Sequence, residues 1–296
     1  MTYNIEEIDN GIRIKNLKNF NLCHIFENGQ AFRWDKTSDG SYIVVYKNQV
    51  AEFLMDKDDL IAFNIDADDF IDIWHDYFNL DADYDFIKNE LKSTKAYKLN
   101  DSLKEAMEFA DGLRILNQDK FEMIISFIIS ANNRINQIKK CINLLSENYG
   151  DYIGEYKGRK YYAFPMPEQL AYQDPERLKE ITRVGFRNTR IIEAARRYLE
   201  RPEDFEGEDL IKLKEKLIDL PGVGPKVLDC ILLFGYGIEE TFPIDVWVKR
   251  LMEFLYIKKS VPNKKILEYA HDLFGDYLGH AQQYLFYYAR EHSIGK

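Results

Sequence analysis

Lys226, Cys230 and Asp245 lie close together in the chain, and each side chain can do chemistry. A lysine amine is a nucleophile once it has lost its proton. With an ordinary pKa near 10.4, only about one in a few thousand would be neutral at pH 7. Burial, a helix N-terminus and nearby cations can lower that value, at a cost of about 1.4 kcal/mol per unit. Cys230 stands at i+4 from Lys226, which puts the two on one face of a helix. Asp245 follows Pro243 and suits a helix N-cap. A capping carboxylate is rigid and ionised. Near a sugar it can support positive charge developing at the anomeric carbon. Taken singly, the lysine reads as a solvated first-turn residue and the aspartate as a cap.

The segments around these residues explain how they could be positioned. Residues 209–219 carry apolar residues at helical spacing, and 227–234 is an apolar run of helical propensity. Between them lies Leu220-Pro-Gly-Val-Gly-Pro225, too rich in Gly and Pro to be helical. Two helices joined by a tight glycine hairpin, at about 209–236, present unpaired backbone N–H groups at a helix start. Gly222 and Gly224 would shape that turn, and the donors and helix dipole together favour a phosphate. The spacing G-x-G-x-K excludes a nucleotide-binding P-loop, which needs G-x-x-x-x-G-K-[ST]. A phosphate cradle, a lysine and a carboxylate together point to chemistry on nucleic acid.

The 296 residues suffice for two or three cores, and 46% hydrophobic with 30% charged residues is an ordinary globular composition. No apolar run reaches the roughly 20 residues that span a bilayer. The N-terminus has no signal-peptide pattern, and Cys23, Cys141 and Cys230 make no disulfide framework, so a reducing cytoplasm is the expected setting. Three cysteines also exclude a four-cysteine iron–sulfur cluster. The net charge of −10 argues on its face against a nucleic-acid partner. Its distribution answers the objection. Residues 51–92 alone hold 13 acidic residues and 3 lysines, whereas 179–201 and 245–265 each carry a net +4. Phosphate binding needs a local basic face, not a basic protein.

An α+β fold is expected: an N-terminal antiparallel-sheet domain over residues 1–100, then a mostly helical region over 101–296. Residues 29–34, 42–46 and 49–55 read as strands, with turns at Asp39-Gly40 and Lys47-Asn48. Asp66, Asp68, Asp69 and Asp72 lack the glycine and terminal glutamate of a calcium loop and read as a solvated helix start. From Asp101 the pattern is helical almost throughout. Residues 119–130 should be a buried helix. It runs into Ala131-Asn132-Asn133-Arg134, which is too polar for a core. Further helices are expected at 135–149, up to Leu199, from Asp245, from Asn263 and over 279–292.

The stretch from Leu220 to Arg250 resembles the helix-hairpin-helix and Gly-Pro-Asp (HhH-GPD) motif of base-excision DNA glycosylases, and within them the 8-oxoguanine DNA glycosylases. Residues 29–34 (GQAFRW), 112–119 (GLRILNQD), 126–133 (SFIISANN) and 279–286 (GHAQQYLF) look like segments of that family, in its order. The hairpin alone specifies only the superfamily; the set of five specifies the substrate class. The resemblance implies a bifunctional enzyme acting on double-stranded DNA containing 8-oxoguanine. Lys226 would attack the anomeric carbon of a flipped-out nucleotide, expel the base and form a Schiff base that leads to strand cleavage, with Asp245 as the essential aspartate. Oxidation at carbon 8 makes N7 of guanine a donor. A carbonyl from Gly29 would bond it, and would face a lone pair in normal guanine. Gln282 would bond the Watson–Crick edge, with Phe286 and Cys230 on either side of the ring.

Asn132 and Asn133 would fill the gap left by the flipped base. Here the chain departs from better-known members. Arg134 replaces a third asparagine, Gln137 a cytosine-reading arginine, Phe186 a tyrosine before Arg187, and Trp247 a histidine. Loss of a bidentate contact removes about 1–3 kcal/mol of discrimination, so the resemblance carries over the lesion chemistry but not the family's choice of cytosine opposite the lesion. No metal or cofactor is expected to be required; the resemblance allows for a structural monovalent cation at the hairpin. A monomer is expected. Two other readings are an HhH-GPD glycosylase for alkylated or mismatched bases and a non-catalytic DNA-binding module. The alkyl-base enzymes usually lack the lysine, and the adenine and pyrimidine enzymes usually carry a cysteine cluster. A binding module would be indifferent to Lys226→Gln.

Overall fold

The computed structural model describes residues 3–207 and 209–294. The N-terminal part is a six-stranded antiparallel sheet of β1 (Asn4–Ile8), β2 (Gly11–Lys15), β3 (Trp34–Lys36), β4 (Tyr42–Tyr46), β5 (Gln49–Asp56) and β6 (Asp59–Phe63), in the order β1-β2-β6-β5-β4-β3. Two-residue turns close β1 on β2, β4 on β5 and β5 on β6. Asn10, Lys47 and Lys57 in those turns take positive φ, the twist that short hairpins require. Alternate side chains of the strands face a helical run from Ala67 to Tyr77, whose Phe70 and Trp74, with Phe78 just beyond, are fully buried. The Phe53 ring meets Trp74 at 4.8 Å and Phe78 at 5.1 Å. Asp66 caps this run by accepting from the Asp69 N–H at 2.8 Å, so the acidic cluster is a helix start, as its composition suggests.

Residues 29–33 are not a strand; only Trp34–Lys36 pairs, with β4. The backbone groups here are taken elsewhere. Asn28 Oδ1 accepts from the Gln30 N–H at 3.1 Å, and Gln118 donates to the Gln30 carbonyl at 2.9 Å. The Gln30 side chain is fully buried. It donates to the carbonyls of Ile25 (2.8 Å) and Arg114 (2.7 Å) and accepts from the Leu116 N–H (2.9 Å). Hairpin β7 (Tyr152–Tyr156)–β8 (Arg159–Tyr162) interrupts the helical region, where the sequence pattern suggests only helices.

The remaining helices that matter to the site are α1 (Lys120–Ser130), α2 (Ile135–Tyr149), α3 (Asn188–Glu200), α4 (Leu210–Ile218), α5 (Pro225–Tyr236), α6 (Val246–Met252) and α7 (Leu278–Glu291). Helix α1 is buried along nearly its whole length and forms one core with α2, α3, α4 and α5. Its Phe127 stacks on Phe234 of α5 at 5.5 Å. A second core joins α6 and α7 to the helices of residues 84–109. The two meet where Gly279 lets α7 approach α5. A Cβ there would lie 2.5 Å from Leu233 Cδ1 and 3.0 Å from the Glu239 carbonyl. No helix of the described residues is long and apolar enough to cross a membrane.

His280, next to Gly279, is completely buried, and neither ring nitrogen has a hydrogen-bond partner. Glu239 is 3.8 Å away, beyond hydrogen-bond reach. Burial, reinforced by the charge of Arg114, lowers its pKa to about 3. The folded state therefore keeps the ring neutral, while the unfolded chain protonates it near pH 6.5. Stability from this group is complete above that pH and is lost as pH falls toward 3, because the unfolded state then binds the extra proton. In denaturant unfolding at pH 7 and pH 5 this group alone should contribute a fall of up to about 2 kcal/mol in the wild type, set against the opposite contribution of acids that burial raises, such as Glu122. The fall should be smaller by that amount in His280→Leu.

Candidate active site and nucleic-acid interface

The hairpin forms as its sequence dictates. Asp209 caps α4 by accepting from the Ile211 and Lys212 N–H groups, at 3.0 and 3.1 Å. Leu220 and Val223 anchor the loop in the core, and the Val223 N–H bonds the Leu220 carbonyl at 3.0 Å. Gly222 takes φ +93°, which a side chain would strain. Helix α5 starts at Pro225 after Gly224 with no side-chain cap. Its first-turn donors are therefore left for an anion. Arg190 of α3 lies across the turn, its Cδ 2.8 Å from where a Gly222 Cβ would sit. The basic helix and the hairpin thus share one face.

Lys226 projects from the first turn of α5, with its Nζ 5.5 Å from the centre of the Phe127 ring. Burial is the largest influence on its pKa and pushes it down. Neighbouring Cys230 and the carboxylates of Asp245 and Asp229 more than offset this, so the net direction is up. The expectation of a lowered value is thus met by burial and overturned by the neighbours. Burial pushes the Cys230 thiol up, with Lys226 acting against it. Asp245 is the N-cap of α6 and accepts from the Val248 N–H at 2.7 Å. Trp247 is half-buried in the first turn of α6. Asp229, three residues after Lys226, is raised to about 7, chiefly by burial.

Beside this cluster, Gly29 takes φ +87°, and a Cβ there would sit 3.9 Å from Phe286 of α7 and 3.7 Å from Ile135 of α2. Gln282, one turn before Phe286, is buried and accepts from Gln283 Nε2 at 2.7 Å. Cys230 is buried on α5, the helix that Gly279 holds against α7. Gly29, Phe286, Gln282, Cys230 and Lys226 therefore come from segments far apart in sequence that are packed against one another.

The polar loop after α1 is a separate feature of the same helix. Asn132 is exposed at φ +53°. Asn133 is turned back, its Nδ2 donating to the Ile129 carbonyl at 3.2 Å and its Oδ1 accepting from the Arg134 N–H at 2.9 Å. Buried Arg187 fixes the loop from below, donating to the carbonyls of Ala131 and Asn132. Phe186 is 56% exposed and has Arg187 and Arg190 guanidinium carbons 4.4 and 5.0 Å from its ring centre. Gln137 is exposed on the first turn of α2 and donates to Cys141 Sγ at 3.5 Å. Among the described residues no group of three or more His, Cys, Asp or Glu could hold a metal ion.

Residues 12–124 match the 8-oxoguanine DNA glycosylase N-terminal domain, and residues 125–274 match the HhH-GPD superfamily base excision DNA repair protein. The chain belongs to the 8-oxoguanine DNA glycosylase family. An 8-oxoguanine glycosylase/lyase from Clostridium acetobutylicum, solved with double-stranded DNA containing cytosine opposite 8-oxoguanine, is 40% identical to this family member. The match covers 99% of this chain and 100% of that one, with a TM-score of 0.90. The N-glycosylase/DNA lyase of Saccharomyces cerevisiae is 32% identical over 267 residues, 78% of this chain and 66% of the yeast chain. A probable N-glycosylase/DNA lyase of Methanothermobacter thermautotrophicus is 28% identical over 229 residues, 70% of this chain and 73% of that one.

Sequence reasoning did not single out three residues that touch the candidate site. Arg190 was visible only as part of a basic helix, and its place over Gly222 depends on the packing of α3. Ile135 and Gln283 carry no motif signal of their own, although Gln283 adjoins Gln282. Arg187, by contrast, was singled out in sequence, and its contacts give a direct test. Arg187→Ala removes the donors of the Ala131 and Asn132 carbonyls and should lower stability by about 2–3 kcal/mol. It should also weaken duplex binding, measured by fluorescence anisotropy. Arg187→Lys should recover little of either, because a point charge cannot serve several carbonyls in fixed directions.

Proposed function

We propose that this chain is a bifunctional enzyme that excises 8-oxoguanine from double-stranded DNA and then cleaves the strand, with Lys226 as nucleophile. The observation that carries the reading is the placement of Lys226. It stands at the uncapped start of α5, one turn from buried Cys230 and within electrostatic reach of Asp245. The comparisons with N-glycosylase/DNA lyases support the same reaction.

The amine is charged at rest and must lose its proton before attack. Enclosure by a flipped nucleotide strengthens the desolvation that already favours the neutral form. The nitrogen then bonds to the anomeric carbon as the glycosidic bond breaks, and the base leaves with the electron pair and takes up a proton. The Asp245 carboxylate, held in place by the Val248 N–H, stabilises the positive sugar in between. Loss of a proton from nitrogen and opening of the sugar ring give the Schiff base. Removal of a C2′ proton then expels the 3′ phosphate by β-elimination.

Base choice falls to the pocket in which the Gly29 carbonyl accepts from the N7–H of the lesion, Gln282 reads the Watson–Crick edge, and Cys230 and Phe286 enclose the ring. Asn132 and Phe186 occupy the gap in the duplex, Asn133 and Arg187 hold the loop that carries Asn132, Gly222 and Gly224 serve the backbone, and Trp247 flanks it. Backbone carbonyls of the hairpin offer the hard oxygen donors that an alkali ion takes, and no step depends on one. A monomer working in the cytoplasm on chromosomal DNA fits this reading.

Borohydride should trap a covalent adduct between the wild type and a duplex carrying one 8-oxoguanine, and none with Lys226→Gln. Absence of both adduct and base release from the wild type would refute the assignment. With Gln137 in place of a bidentate arginine, excision opposite adenine, guanine or thymine should stay within about 10-fold of that opposite cytosine. Single-turnover rates on the four duplexes measure this, and a preference for cytosine beyond about 100-fold would refute it.

A further inference from the structure

Gln282 and Gln283 are adjacent on α7, and both are buried, at 4% and 3% exposure. Their amides are joined: Gln283 Nε2 donates to Gln282 Oε1 at 2.7 Å. The Oε1 of Gln283 has no partner. A primary amide has a donor end and an acceptor end, and turning it over exchanges them. The bond from Gln283 removes that freedom. With Oε1 of Gln282 already held by a donor, turning Gln282 alone would set two N–H groups against each other. Turning both amides would leave the Gln283 amide protons buried without an acceptor, and orphaned buried donors are rarer in folded proteins than under-used carbonyls.

A fixed amide reads one kind of base edge. A guanine-type Watson–Crick edge presents an acceptor, O6, beside a donor, N1–H. An adenine-type edge presents a donor, N6–H, beside an acceptor, N1. In one orientation an amide pairs with the first through Nε2–H to O6 and Oε1 from N1–H; only the turned amide pairs with the second. Gln282 Oε1 has two lone pairs, so it can hold the Gln283 proton and still accept from N1–H. We propose that Gln283 is a positioning residue that locks the amide of Gln282 and so makes the pocket reject lesions with an adenine-type edge. The proposal rests on the reading of Gln282 as the base-edge residue.

8-Oxoadenine is the diagnostic probe. It shares the C8 oxygen and the N7–H of 8-oxoguanine, so any recognition through Gly29 is common to both, and only the Watson–Crick edge differs. The experiment compares single-turnover excision of the two lesions, each opposite cytosine, by wild type, Gln283→Met and Gln283→Glu. Methionine keeps the volume and removes the donor. An ionised glutamate can only accept, so it draws the Nε2 of Gln282 toward itself and turns the amide. The ratio of 8-oxoguanine to 8-oxoadenine excision should fall about 3- to 10-fold in Gln283→Met, the range expected for loss of one hydrogen bond. It should fall further in Gln283→Glu as pH rises and the carboxyl ionises. An unchanged ratio in a folded variant, or a parallel loss on both lesions, would overturn the proposal and leave Gln283 a packing residue. If either variant fails to fold, the ratio in the other decides. A wild type that excises neither lesion would instead refute the reading of the whole site, which keeps the two failures apart.

Discussion

The buried amide of Gln30 is the junction on which the pocket depends. Gly29 belongs to the sheet side of the molecule, whereas Phe286 belongs to the last helix. The last helix reaches the Gly29 segment directly, with Arg290 donating to the Glu27 carbonyl and the Tyr287 hydroxyl 3.6 Å from Cys23 Sγ. Gln30 fixes the same segment from the other side by satisfying backbone groups on Ile25, Arg114 and Leu116, while Gln118 takes its own carbonyl. Arg114 extends the junction, donating to carbonyls of Asn19, Phe78 and Ala82 and lying 4.2 Å from the centre of the Tyr84 ring. These are buried polar groups with their partners in place, which makes the arrangement rigid as well as stable. Leu116 packs in the sheet-side core and Phe32 in that of α1, so the two segments are threaded into each other's cores.

Electrostatics follow a local logic. The acidic surplus belongs largely to residues 51–92, in the sheet and the helices that follow it, and the basic stretches flank the hairpin. Around Lys226 the balance reverses at short range, because a thiol and two carboxylates surround the amine in a partly desolvated setting. Such a lysine rests as a cation and becomes a nucleophile only when its surroundings change. A flipped nucleotide supplies that change, so in the proposed reaction activation is tied to occupancy of the pocket.

The helical half was largely legible in sequence. The apolar period of α1, the caps of α6 and the acidic helix start at Asp66, and the Gly-Pro hairpin are local signals, and local signals decide those elements. The sheet was legible only in its middle. β1, β2 and β6 carry short or polar patterns that become strands through pairing with one another, and β7–β8 sits among helices. Residues 29–33 have the composition of a strand, but Gln30 is bonded to residues 114–118, a long-range fact that no window of sequence contains. In the site, the residues on a motif were visible. Those that act by touching a motif residue, such as Gln283 on Gln282 or Arg190 on Gly222, needed the tertiary structure.

The contact at Gly279 sets how far α7 stands from α5. Backbone of α7 lies against the Leu233 side chain of α5 and the Glu239 carbonyl just beyond it, with no room for a methyl group, so the close approach depends on the glycine. In the proposed reading, which holds a base between Cys230 of one helix and Phe286 of the other, the glycine works as a gauge of slot width. A change of substrate thickness cannot be met by sliding the helices apart without breaking that contact. It has to come from the two side chains at the slot itself. The frame is thereby separated from the specificity, and a descendant of this chain could exchange Cys230 or Phe286 and alter what fits while the scaffold stays as it is.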